Sequence, residues 1–111
     1  AHRMINTAGE LVAPPTVERA LRSLDVVSDA LVVGLPDQRW GQIVAALIVP
    51  SPAGRAQASS MNAAALSEAL SESLAPWEKV RRIAVVDELP TTATGKPDPL
   101  GAAELFSASE R

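Results

Sequence analysis

Ala30-Leu31-Val32-Val33-Gly34-Leu35-Pro36-Asp37-Gln38-Arg39-Trp40-Gly41-Gln42-Ile43-Val44-Ala45-Ala46-Leu47-Ile48-Val49 is the stretch on which the fold turns. At its ends lie two aliphatic, β-branched runs of strand length, Ala30 to Val33 and Gln42 to Val49. Gly34-Leu35-Pro36-Asp37 supplies a turn after the first run, and Pro50 stops the second. Two such runs joined by an eight-residue loop are expected to pair antiparallel.

Working outward toward the N-terminus, Pro14 and Pro15 block a strand, and Pro15 suits the first position of a helix. On that helix Val17, Ala20, Leu21 and Leu24 share one face, leaving Glu18, Arg19 and Arg22 outside. Before it, Met4 to Val12 reads as two short extended pieces around a turn, with Gly9 the residue free to take positive φ. Toward the C-terminus, Ser51 to Ser60 reads as a surface linker. Asn62 can then cap a helix bearing Leu66, Leu70 and Leu74 with Ala63, which Pro76 ends. A basic connection, Trp77 to Arg82, leads to a third strand, Ile83 to Val86. After Pro97 and Pro99, which prevent an immediate helix, Leu100 to Phe106 has room for a turn or two. The expected fold is a compact α+β domain: a sheet of about three strands with two helices on one face, plus a short N-terminal β-hairpin.

Composition narrows the function classes. The 111 residues are one domain's worth, and 47% hydrophobic content is that of a globular chain. Net charge is -3 and no basic run exceeds Arg81-Arg82, so duplex nucleic acid is not an expected partner. With no cysteine and a single His2, neither a disulfide nor a metal centre is expected, which fits a cytoplasmic protein. No apolar run approaches the roughly 20 residues of a membrane helix.

The stretch that carries chemistry is Leu89-Pro90-Thr91-Thr92-Ala93-Thr94-Gly95-Lys96, ending on one of two lysines in the chain. Threonine hydroxyls can bond an anion, and small polar residues bury little, so the loop is expected to be exposed and mobile. An ammonium in water stays charged at neutral pH and suits charge neutralisation on a phosphoryl or carboxylate oxygen better than base catalysis. A Walker loop is excluded: its first glycine would fall at Pro90, and Pro97 follows the lysine. A Ser/His/Asp triad is not expected with His2 the only histidine. Asp87 and Glu88, adjacent at a strand end, point opposite ways and are expected to be solvated rather than an acid/base pair.

Three ordered blocks resemble the C-terminal domain of the adenylate-forming superfamily: acyl-CoA synthetases of fatty acid metabolism, firefly luciferase and the adenylation domains of nonribosomal peptide synthetases. They are Met4-Ile5-Asn6-Thr7-Ala8-Gly9-Glu10 with Val12, Pro14, Val17 and Glu18; Val32 to Gln42; and Leu74-Ala75-Pro76-Trp77 through Val85-Val86-Asp87-Glu88-Leu89-Pro90 to Gly95-Lys96. The chain departs from the pattern in three places. His2 stands at the hinge position, Leu11 replaces the usual Asn or Arg, and Pro97-Asp98-Pro99-Leu100 stands where arginines are usual.

The resemblance implies that residues 1–111 are the mobile lid of an AMP-forming ligase whose large N-terminal domain binds ATP, Mg²⁺ and the acid. It implies two steps, adenylation of a carboxylic acid and thioester formation with CoA, for which the lid presents different faces. Lys96 matches the catalytic lysine, with Thr92, Thr94 and Gly95 beside the nucleotide. Ala8, Gly9 and Glu10 match the loop that faces the active site in the thioester step, and Trp40, Trp77, Lys79 and Arg81 match positions near the CoA nucleotide. Two alternatives stay open at this point: an adenylation domain's tail that loads a carrier protein, and a non-catalytic α+β interaction module.

Overall fold

The computed structural model describes residues 4–109. The hinge position expected at His2 lies outside them. Strands β1 (Ile5–Thr7) and β2 (Glu10–Val12) form the expected hairpin, followed by helix α1 (Pro14–Arg22), β3 (Val27–Asp37) and β4 (Gly41–Pro50). A single turn of helix, α2 (Pro52–Arg55), and α3 (Ala63–Ala69) precede β5 (Arg82–Val85) and the terminal helix α4 (Pro99–Ser109).

One five-stranded mixed sheet results. β3 and β4 pair antiparallel from Val27↔Pro50 to Asp37↔Gly41. The other edge of β4 is shared: Gly41 pairs with Thr7 of β1, while Ala45 to Ile48 pair parallel with β5. The N-terminal hairpin thus joins the main sheet, so five strands replace the expected three. The turn expected at Gly34-Leu35-Pro36-Asp37 is strand instead, and only Gln38-Arg39-Trp40 bridge β3 and β4. Pro36 is tolerated because β3 is an edge strand, where a missing N–H costs no ladder bond.

Strand alternation explains a second correction. Ala30, Val32, Val44, Ala46 and Ile48 point to one face, where Val17 and Leu21 of α1 and Leu66 and Leu70 at α3 complete the core. Leu31, Val33, Leu35, Ala45 and Leu47 point to the other, where Ala102 and Phe106 of α4 close over them. Helices therefore cover both faces, not one, which is why β3 from Ala30 to Val33 and β4 from Ile43 to Val49 are apolar at consecutive positions. Pro99 opens α4 at its first turn, where no N–H partner is needed, so the helix starts earlier and runs longer than expected.

Further differences are local. The side chain of Asn62 accepts the Ala65 N–H as expected of a cap, but α3 ends at Ala69, well before Pro76. The stretch read as a linker folds into α2 and a 3₁₀ turn, with Ser51 capping α2 at Gly54. Glu18 does not face solvent alone; its carboxylate accepts the Val32 N–H at 2.9 Å on the outer edge of β3. Among the described residues no helix is long and apolar enough to cross a membrane.

Candidate functional site

The residues singled out in the sequence collect at two opposite ends of the β3–β4 hairpin. Ala8, Gly9 and Trp40 gather at its closed end, where Thr7 meets Gly41. The Lys96 loop lies at the open end. There Thr91, Gly95 and Pro97 border a shallow depression with Ser28, Asp29, Val49, Asp87 and Glu88. Val49 lies eight residue steps along β4 from Gly41, roughly 26 Å at about 3.3 Å per residue.

At the open end the loop is a closed turn. Thr91 and Pro97 form a bridge, the Thr92 N–H donates to the Lys96 carbonyl at 2.7 Å, and the Gly95 N–H donates to the Thr92 carbonyl at 2.9 Å. The Thr92 hydroxyl also accepts the Lys96 N–H at 3.3 Å and meets the Thr94 hydroxyl at 3.0 Å. Gly95 takes φ +85°, a backbone conformation a side chain disfavours. These bonds close the backbone into a turn, from which the lysine extends its own four-carbon chain. Lys96 is exposed, and among the described residues its ammonium pairs with no carboxylate. Asp98 donates its N–H to Pro90, so α4 begins directly where the loop closes.

At the closed end the β1–β2 turn holds two consecutive left-handed residues, Ala8 at φ 53° and Gly9 at φ 87°. The sequence reading allowed this only at Gly9. The Ala8 N–H donates to the Trp40 carbonyl at 2.7 Å, and the Gly9 N–H donates to Asn6 Oδ1 at 3.0 Å. Trp40 is half-buried and carries cations near its ring, Arg81 at 4.5 Å and Arg39 at 5.5 Å from the centroid. Such stacking holds a guanidinium in place without neutralising it, so its charge remains available to an anion. The Arg81 N–H is fixed on the Val44 carbonyl at 2.8 Å.

Glu10 opens β2 and is exposed. Trp77 is 45% exposed on a 3₁₀ turn, Pro76–Glu78, which packs against β2; Lys79 leaves that turn and is exposed. The Glu78 carboxylate accepts the Ala75 N–H at 2.8 Å and fixes the turn. The structure therefore brings Ala8, Gly9, Trp40 and Arg81 together, with Glu10, Trp77 and Lys79 on flanking elements. Sequence reasoning gave no role to Arg39, Asp37, Asn6 or Gln42. The signal available for Asp37 was its place two and three residues before Arg39 and Trp40, the spacing of a side chain that bonds the backbone of its own turn.

One half-buried and one exposed indole with several cations nearby suit a ligand that joins an aromatic ring to phosphates, and an exposed lysine on a hydrogen-bonded turn suits a phosphoryl oxygen. Mg²⁺ does not fit: no group of three carboxylate, His or Cys side chains gathers among the described residues.

The family model for the AMP-binding enzyme C-terminal domain matches residues 16–96. A medium/long-chain-fatty-acid/3-oxocholest-4-en-26-oate CoA ligase of Mycobacterium marinum is 39% identical over 94% of this chain and 18% of its own length. A 4-chlorobenzoate CoA ligase of Pseudomonas is 38% identical over 84% of this chain and 17% of its length. The solved fatty acyl CoA synthetase of Mycobacterium tuberculosis superposes with a TM-score of 0.80 at 28% identity, over 96% of this chain and 20% of that one. The chain thus spans about a fifth of the length of the proteins it matches.

Proposed function

Because this chain belongs to the AMP-binding enzyme C-terminal domain family, we propose that it is the mobile small lobe of an AMP-forming acid-thiol ligase whose large domain holds ATP, Mg²⁺ and the acid. The observation that carries the reading is the separation of the two sites. Ends roughly 26 Å apart along one hairpin cannot both touch one bound nucleotide, so the lobe turns to serve two consecutive steps.

In the first step a carboxylate oxygen attacks the α-phosphorus of ATP, the bond to the bridging oxygen breaks, and pyrophosphate leaves. Lys96 places its positive charge between the attacking carboxylate and the phosphoryl oxygens. Charge developing in the transition state is stabilised where water would otherwise have to reorganise. Of the contacts expected of Thr92, Thr94 and Gly95, the Thr94 hydroxyl reaches the nucleotide, while Thr92 and Gly95 hold the shape of the turn. In the second step a thiolate attacks the acyl carbonyl, the carbon–oxygen bond to phosphate breaks, and AMP leaves. Ala8, Gly9 and Glu10 line the path of the thiol, and Trp40, Trp77, Lys79 and Arg81 take the nucleotide end of CoA.

The acid is read elsewhere. Two relatives of nearly equal identity to this domain carry names that specify unlike acids, one aliphatic or steroidal and one aromatic. The full-length protein, given ATP and a panel of carboxylic acids, is expected to release pyrophosphate and form thioesters with free CoA. No acid-dependent pyrophosphate release would refute ligase activity. Efficient transfer to a carrier-bound pantetheine, with none to CoA, would replace the CoA assignment by carrier loading.

A further inference from the structure

We infer that Asp37 is a positioning residue for thioester formation, acting on the Ala8-Gly9 turn through the peptide of Trp40. The inference rests on the reading of the closed end given above. One oxygen, Asp37 Oδ2, accepts both the Arg39 N–H at 3.0 Å and the Trp40 N–H at 2.8 Å. That fixes the three-residue connection between β3 and β4 and the direction of the Trp40 carbonyl. The same carbonyl receives the Ala8 N–H at 2.7 Å.

Left-handed Ala8 is disfavoured by its own Cβ and persists because its surroundings hold it. The other side of the turn is tied by Asn6, whose Oδ1 accepts the Gly9 N–H and whose N–H donates to Gln42 Oε1 at 2.8 Å. Two strands thus hold the turn, and among the described residues the Ala8 N–H is held by the Trp40 carbonyl. The residue whose N–H Asp37 holds, Trp40, also carries the indole on which Arg81 and Arg39 stack. One side chain therefore sets the backbone path offered to the thiol, at the residue whose ring also carries two cations. Asp37 lies at the far end of β3 from the Lys96 loop, so its loss is expected to spare adenylation.

The test uses the full-length ligase, with carboxylate-dependent pyrophosphate exchange for the first step and single-turnover transfer from supplied acyl-adenylate to CoA for the second. Asp37→Ala is expected to slow transfer about 10- to 100-fold, as misplacement of a reacting partner does, with exchange held within about twofold. Asp37→Asn, which keeps an acceptor oxygen, is expected to recover transfer to within about threefold of the parent. If the alanine variant does not fold, Asp37→Leu, which keeps side-chain volume but has no acceptor oxygen, is read in its place with the same expectation. Equal loss in both steps, or undiminished transfer, overturns the role given to Asp37. Gly9→Val is run beside them: if it leaves transfer intact, the reading of the closed end itself fails. If it slows transfer and the Asp37 variants do not, only the Asp37 assignment fails.

Discussion

Removing the Phe106 ring tests whether α4 is part of the core. Phe106 is 1% exposed and packs with Ala102 against Leu31, Val33, Leu35, Ala45 and Leu47, while the Arg82 guanidinium lies 5.3 Å from its ring centroid. Truncating a buried phenylalanine to alanine costs about 3–5 kcal/mol in lost transfer energy and residual cavity. Against the roughly 5–15 kcal/mol that holds a domain of this size, that is a large fraction. At about 4 °C per kcal/mol, the midpoint should fall by about 12–20 °C. Phe106→Leu, which retains most of the volume, should cost only about 1–2 kcal/mol. Urea unfolding followed by far-ultraviolet circular dichroism measures both. A loss below about 1 kcal/mol for Phe106→Ala would show that the second face of the sheet is not sealed by this helix, and the three-layer description would be wrong.

Glu18→Ala should destabilise the domain by about 1–2 kcal/mol, because the Val32 N–H loses its acceptor, and Glu18→Gln should recover most of that in urea titrations. Equal loss in both variants would mean that the charge, not the acceptor oxygen, matters. Thr92→Val removes the hydroxyl that braces the Lys96 peptide; adenylation kcat should fall about tenfold with the KM for ATP held within about twofold. A rise in KM at unchanged kcat would make Thr92 a nucleotide contact instead of a brace.

Much of this was legible in the chain. The apolar runs from Ala30 and from Gln42 located β3 and β4, and Asn62 marked the start of α3 correctly. Their unbroken hydrophobicity was also the sign that helices cover both faces, but a short apolar run does not say how many layers enclose it. α4 announced itself through Asp98-Pro99 and the one-turn spacing of Ala102 and Phe106; the prolines were read as breakers where Pro99 is in fact a helix start. The parallel seat of β5 beside β4 has no local signature, since a strand's neighbour is chosen by tertiary packing. The same limit applied to the site. Lys96 and Gly9 stood out as residue types in recognisable loops, and both are exposed. Asp37, Asn6 and Gln42 act by bonding backbone groups, one of them 36 residues away, and no residue-type pattern encodes that.

The proposed division of labour between the two ends of the β3–β4 hairpin is tested most directly by Lys96→Ala in the full-length protein, with the two steps measured separately. Carboxylate-dependent pyrophosphate exchange should fall by about 10²–10³, the scale of losing one preorganised charge contact, while transfer from supplied acyl-adenylate to CoA stays within about twofold. Exchange that survives the substitution, or a matching fall in both steps, would contradict the account.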